Sequence, residues 1–196
     1  PPDLDPEVEA KWHAFAEFPH DTLGHQVWDM YDSRGFGLPG TPDGALRYLA
    51  QHDFVHVLAD YGTNLKGELE VFGLISRADP DPKGFAWLAT LIGLFETGYI
   101  SSAGFFDRDV RERNIRAPGM HHRIADALRR GKVVCDQYGV DLFDVDYYEL
   151  AARPVEEVRI MLSITPKSPG AIDSGSAGPF DPEGMSENQR RFAAQR

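Results

Sequence analysis

Two histidines and two carboxylates in the first half of the chain have the types and the spacing of a metal site. His52 and His56 stand four residues apart, Asp53 follows His52, and eleven residues separate His56 from Glu68. Residues four apart share one face of a helix, so a single helix can present both imidazoles in one direction. Imidazole and carboxylate together suit Zn, Fe, Mn, Co or Ni. The pattern predicts a divalent metal held by these residues, with Asp53 either a fourth ligand or a partner that orients an imidazole.

Two predicted helices must position these side chains. The first runs over residues 43–60, stops near Gly62 and is apolar nearly all round, which indicates burial. The second runs over about 64–77 and carries Glu68 on an apolar face, whereas Glu70 falls on a different face and is predicted to be solvated. Because a buried carboxylate needs a cation, a metal or a proton, the position of Glu68 favours the metal.

A competing interpretation makes both histidines ordinary core residues that bond to the backbone or to Asp60. A second His/Asp group, formed by His20, Asp21 and His25, straddles a predicted helix start. Asp21 is expected to cap that helix, although Thr22 can do so as well.

Two further groups suggest other chemistry. His121 and His122 would complete the ligand set of a phosphohydrolase that uses a His-Asp pair, but adjacent histidines point to different faces of a helix. Arginines recur at 108, 111, 113 and 116 and would suit an anionic substrate; such a run is more typical of a solvated face.

The rest of the chain predicts an all-α fold, because no segment has the pattern of a strand. Asp5-Pro6 is typical of a helix start, Pro118 and Pro154 open later helices, and Gly139 ends one. An apolar helix is predicted from Phe85 to about residue 102 and is expected at the centre of a single-domain bundle. Gly93 and Gly98 on this helix would allow the close approach of another helix or of a lipid chain.

The predicted domain covers residues 1–164 and encloses an apolar cavity. About half of the residues from Thr165 to Ser186 are Gly, Pro or Ser, so this segment cannot bury enough apolar surface to fold alone. Residues 165–196 are therefore predicted to form a C-terminal tail, flexible or draped over the body.

Composition narrows the class of protein. The 196 residues carry a net charge of −11, which argues against binding to nucleic acid. The single cysteine, Cys135, allows no disulfide within the chain and is expected to pack in the core, which fits a reducing compartment. No signal or transit segment is recognised, and the longest apolar run, Phe85–Phe95, is too short to span a bilayer. Contact with a membrane surface stays open.

The motif His52-Asp53-x-x-His56, eleven residues, Glu68 resembles the signature of the ubiquinone biosynthesis protein four (Coq-four) family. The segments Thr22-Leu23-Gly24 and Gly67-Glu68-Leu69 are similar to flanking parts of that family, and so are residues 144–149 and 154–159. The resemblance covers roughly residues 22–164. It departs at Phe54-Val55, where family members often carry Leu-Trp, and it does not include the C-terminal tail.

The resemblance implies a mostly helical protein with a cavity for a prenyl chain and His52, Asp53, His56 and Glu68 as catalytic metal ligands. It implies oxidative decarboxylation of a prenylated hydroxybenzoate, in which a hydroxyl replaces the ring carboxylate. The implied partners are an isoprenoid lipid, a membrane surface, other quinone-biosynthesis proteins and, as an option, a second copy of the chain. The implied location is the cytoplasmic membrane surface in a bacterium, or the matrix face of the inner mitochondrial membrane.

The ligand set constrains the metal. Zinc has no redox chemistry and would only polarise a phenolate or carboxylate, whereas an O₂-dependent step suits Fe(II). Three rival functions stay open: a lipid-binding scaffold without catalysis, a metal-dependent hydrolase and a structural subunit whose motif is a satisfied core network.

Overall fold

The computed structural model describes residues 4–96 and 114–195, and this part of the chain is all-α, as predicted. Helices are the only regular elements among these residues, apart from two isolated bridges. The α-helices are α1 (Pro6–Ala14), α2 (Leu23–Arg34), α3 (Ala50–Ala59), α4 (Leu65–Ala78), α5 (Gly84–Glu96), α6 (Met120–Gln137), α7 (Tyr147–Leu150), α8 (Val155–Met161), α9 (Pro169–Asp173) and α10 (Glu187–Ala193). Three short 3₁₀ helices cover Phe15–Glu17, Asn114–Arg116 and Pro182–Gly184.

Side-chain caps begin three of the predicted helices. Asp5 accepts hydrogen bonds from the first turn of α1, and Asn64 does the same for α4. Thr22, and not Asp21, caps α2 by accepting from the backbone N–H of His25. The expectation for Asp21 was wrong, because its backbone carbonyl accepts from the N–H of Val155 while its side chain stays exposed.

Helix α3 is shorter than predicted at its start. Residues 43–49 form a loop with turns at its ends instead of helix, and Leu46 and Tyr48 are about half exposed. A bridge between Gly37 and Gly44 and close backbone packing around both glycines hold this segment as a loop.

The end of α3 also differs from the prediction. Asp60 adopts the left-handed conformation that ends the helix, with a φ of 59°, and its carboxylate lies 2.8 Å from Lys167 Nζ. Gly62 does not end the helix. It allows close backbone contact, because a Cβ there would lie 2.4 Å from Gly184 Cα.

The core forms around α3, which carries the histidine motif. Phe54 is fully buried and stacks on Tyr147, with ring centroids 4.9 Å apart. Trp12 and Tyr31 pack on the same core, their ring centroids 4.6 Å apart. This burial fixes the rotation of α3, so that its histidine face points toward α4.

Helix α5 lies at the surface of the described structure, which corrects the prediction that it is central. Leu88 is buried against the core, but Phe85 is 45% exposed and Ala86 and Ala89 are also exposed. A Cβ on Gly93 would lie within 4 Å of none of the described residues, so the close approach of a helix or a lipid chain at this glycine stays a prediction. Gly98 and the predicted continuation to residue 102 lie outside the described residues. No helix in the described ranges is long and apolar enough to cross a membrane.

Helix α6 packs along α4 and explains a second error. Glu70 is fully buried, not solvated, and its Oε2 lies 2.5 Å from Nη2 of Arg123 on α6. The apolar wheel of α4 did not reveal this, because the partner is 53 residues away in the sequence. Cys135, on the same helix, is half-buried.

Residues 165–195 lie against the body of the protein. The sequence allowed either this arrangement or a flexible tail. The backbone carbonyl of Gly184 accepts from the N–H groups of Thr63 and Asn64, and Gly62 N–H donates to Ala177 O. These bonds hold the segment on the turn between α3 and α4. Ser186 and Gln189 form a capping box that starts α10. The division into a domain of residues 1–164 and a tail of residues 165–196 stays a prediction.

Candidate metal centre

The two histidines of α3 are held through one nitrogen each. Nδ1 of His52 donates to the backbone carbonyl of Leu49, and Nδ1 of His56 donates to that of Tyr61, 3.2 Å away. These bonds fix the ring orientation and leave both Nε2 atoms turned toward α4. The competing interpretation, in which both histidines bond to the backbone, is therefore correct for their Nδ1 atoms. Asp60 does not bond the histidines, because it pairs with Lys167.

Glu68 meets both imidazoles from α4. Its Oε2 lies 3.4 Å from Nε2 of His52, and its Oε1 lies 3.2 Å from Nε2 of His56. Glu68 is buried, as its apolar face predicted.

Asp53 faces the same point and is held by a tyrosine. The ligand atoms of His52, Asp53 and His56 all lie within 4.8 Å of one another. Asp53 Oδ1 lies 3.6 Å from Nε2 of His52, while Oδ2 accepts a 2.6 Å hydrogen bond from the hydroxyl of Tyr31 on α2. One oxygen is thus fixed by Tyr31 and the other faces the histidines. This geometry is compatible with both roles considered for Asp53.

Burial and charge act in opposite directions on these groups. Burial alone would lower the pKa of His52, but the carboxylates of Asp53 and Glu68 raise it to about 10. Burial alone would raise the pKa of Glu68, but the imidazoles of His56 and His52 lower it to about 2. Burial and the neighbouring Asp53 both raise the pKa of Tyr31, which keeps its hydroxyl protonated as the donor to Asp53.

A test of whether a divalent metal fits comes from His56. Its Nε2 is fully buried and lacks a hydrogen-bond partner among the described residues, although Glu68 is close. A buried nitrogen in this state is costly unless it binds something. With both Nδ1 atoms tied to backbone carbonyls, the arrangement is typical of metal-binding histidines. The residues that would hold the ion are His52, His56 and Glu68, with Asp53 through its free oxygen.

We expect metal affinity to rise with pH. The raised pKa means that His52 holds a proton at neutral pH in the metal-free protein, and a metal must displace it. Apparent affinity for zinc should therefore increase about tenfold per pH unit between about pH 6 and pH 8. Competition with a chelator at several pH values measures this slope, and proton release on adding zinc gives an independent count. A flat profile would contradict the prediction.

The cluster opens into an apolar cavity of about 340 Å³. His52, Asp53 and Glu68 form one part of its wall. Aromatic and aliphatic side chains form most of the remainder, namely Tyr31, Phe36, Ala45, Leu49, Phe72 and Leu91. Thr63 and Gln189 contribute a polar part, and the exposed Asp43 adds a carboxylate to the wall. An apolar cavity was predicted, and the structure shows one beside the metal-type residues.

The other histidine groups do not join this site. Nδ1 of His20 and Nε2 of His25 are 2.7 Å apart, so these rings hydrogen-bond to each other. His121 and His122 are both exposed on α6, which removes the ligand set expected of the phosphohydrolase. Arg116 is exposed as well, and the other arginines of that run, at 108, 111 and 113, lie outside the described residues.

Sequence reasoning missed three residues near the motif. Tyr31 looked like one more apolar position of α2, and Thr63 like a residue of a helix connection. Gln189 lay in the segment taken for a tail. Their positions depend on long-range packing, and no local pattern distinguished them.

Comparison with known proteins gives a likeness in fold. No family model matches the sequence, and none of the curated proteins matches it significantly. The crystal structure of a proposed ubiquinone biosynthesis protein from Nostoc punctiforme PCC 73102 is similar, with a TM-score of 0.52 and 19% sequence identity. The match covers 84% of this chain and 76% of that protein. At this identity the likeness shows that the two chains share a fold.

Proposed function

We propose that this protein acts in ubiquinone biosynthesis as a metal-dependent oxidative decarboxylase of a prenylated hydroxybenzoate. The observation that carries the proposal is the group of His52, Asp53, His56 and Glu68 beside an apolar cavity, whose wall includes His52, Asp53 and Glu68. The motif's resemblance to the Coq-four family and the shared fold with the Nostoc protein support the pathway.

Fe(II) is the metal that this reaction favours, because it supplies the O₂ chemistry that replaces a ring carboxylate by a hydroxyl. The chain's own residues bind and orient. The backbone carbonyls of Leu49 and Tyr61 keep the imidazoles turned inward, and Tyr31 fixes one oxygen of Asp53. Phe72 and Leu91 in the wall exclude water and suit the ring and the first part of a prenyl chain.

Helix α5 suggests how such a lipid reaches the cavity. Leu91 belongs to the cavity wall, while Phe85, Ala86 and Ala89 of the same helix leave an apolar surface exposed. An exposed apolar helix face is the expected feature of contact with a lipid surface. We therefore propose peripheral membrane contact through α5, with the prenyl chain passing along this helix. The same surface favours the second candidate function, a scaffold that binds a prenyl lipid without catalysis.

The experiment separates these two functions. Protein loaded anaerobically with Fe(II) is mixed with a prenylated para-hydroxybenzoate whose carboxylate carbon is isotopically labelled, and O₂ and a chemical reductant are then added. We expect labelled CO₂ and the hydroxylated ring in equal amounts, and neither product from metal-free protein. Tight binding of the lipid without labelled CO₂ would contradict the decarboxylase and support the scaffold.

A further inference from the structure

Arg34 is a buried cation behind the polar part of the cavity wall. It lies at the end of α2 and is 4% exposed. Its Nε donates to Thr63 Oγ1 at 2.8 Å, and its remaining hydrogen bonds go to Ser33 Oγ and to the backbone carbonyls of Met30 and Pro179. All of these acceptors are neutral. In the described part of the chain, no carboxylate forms an ion pair with it within 4.0 Å.

A charge in this position is unusual, because buried arginines are normally paired with an anion. Burial lowers the pKa of Arg34 to about 10, while the more distant Asp29 acts in the opposite direction. The guanidinium therefore stays charged at neutral pH, and none of the carboxylates in residues 4–96 and 114–195 forms an ion pair with it.

Thr63 connects this cation to the cavity. Its hydroxyl accepts from Arg34 and donates to Gln189 Oε1 at 2.9 Å, and Gln189 Nε2 donates back to Thr63 O at 3.1 Å. Thr63 and Gln189 both belong to the cavity wall together with His52, Asp53 and Glu68. The C-terminal segment thus completes the polar part of this cavity.

We propose that Arg34, with Thr63 and Gln189, makes the cavity selective for a ligand that carries a carboxylate. The inference rests on the proposed function. A divalent metal balances the two charges of Asp53 and Glu68, so the metal centre itself adds no net charge; the third carboxylate of the wall, Asp43, is exposed to solvent. An anionic ligand then needs one further positive charge, and Arg34 supplies it through the neutral groups of Thr63 and Gln189.

The test compares binding of two ligands that differ in charge. Zinc-loaded protein is titrated without O₂ with a para-hydroxybenzoate carrying one short prenyl chain, and with the corresponding benzamide. In the unmodified protein the carboxylate should bind more tightly. Arg34→Met should reduce the ratio of the two affinities by about tenfold, mainly by weakening the carboxylate. If the Arg34→Met variant kept the affinity ratio of the unmodified protein, the inference would be overturned, even if both ligands bound less tightly.

Arg130→Met is the matched control. Arg130 is also 4% exposed and donates to a backbone carbonyl, that of Thr165, but neither residue belongs to the cavity wall. This variant should keep the unmodified ratio. If Arg34→Met does not fold, Thr63→Val removes the hydroxyl between Arg34 and the cavity and should also lower the ratio; no change there would overturn the inference.

The outcomes distinguish this inference from the proposed function. A ratio that depends on Arg34, in a protein that releases no CO₂ with iron and O₂, supports the carboxylate site and contradicts the decarboxylase. Turnover, together with an affinity ratio that does not change in the Arg34 variant, supports the decarboxylase and contradicts the carboxylate site. Failure to bind either ligand contradicts both.

Discussion

Replacing His56 by Ala should abolish both metal binding and turnover. His56 is fully buried, and its Nε2 has Glu68 as its close neighbour at 3.2 Å. Its removal leaves His52 as the only imidazole at a centre with two carboxylates, and an empty volume where water can enter. We expect metal per chain after dialysis to fall from about one to near zero, and CO₂ release to fall by about a thousandfold or more. Elemental analysis and the labelled-carboxylate assay measure these two effects.

His122→Ala is the control for this prediction. His122 is exposed on α6 and does not belong to the metal-type group, so its removal should leave metal content and turnover unchanged. Loss of metal from the His122 variant would revive the phosphohydrolase interpretation. A His56 variant that keeps full activity would contradict a catalytic metal, and one that keeps its metal but loses turnover would place the ion at other ligands.

The histidine motif shows what sequence could predict about the site. The spacing of His52 and His56 put them on one helical face, and the apolar neighbours of Glu68 placed it on the buried face of α4. Both inferences depend only on helical periodicity, which can be read from a few turns of sequence. The structure brings these side chains together as the pattern indicated. Periodicity does not indicate which metal binds, so the identity of the metal stays a prediction.

The errors arose where long-range contacts decide. Helix α5 has the most apolar sequence of the predicted helices, but burial depends on what packs over it, and Phe85 stays exposed. The glycines at 178 and 184 suggested a tail. In the structure the missing side chain of Gly184 allows close backbone contact with Gly62 and Gly178, and that of Gly178 leaves room for the carboxylate of Asp60. A Gly-rich composition is the same in a flexible tail and in a segment that packs closely on the body, so composition alone cannot distinguish them.

The buried pair of Glu70 and Arg123 predicts the largest effect on stability. Neither side chain reaches solvent appreciably, since Glu70 is 0% and Arg123 6% exposed. Replacing Glu70 by Leu leaves the guanidinium buried without its partner at 2.5 Å, and we expect the free energy of unfolding to fall by about 3–5 kcal/mol. Arg123→Leu should have a similar effect for the same reason. Urea unfolding followed by circular dichroism measures both.

The double variant, Glu70→Leu with Arg123→Leu, should lose less stability than either single variant. The pair satisfies its own polar atoms poorly, because Oε1 of Glu70 and Nε of Arg123 have no hydrogen-bond partner among the described residues. Two leucines remove those unpaired atoms together with both charges, so no isolated ion remains. The exposed pair Arg153–Glu157 provides the reference, and breaking it should change stability by less than about 1 kcal/mol. If the two single losses add in the double variant, the carboxylate and guanidinium act independently, and the cost comes from lost volume and not from an uncompensated charge.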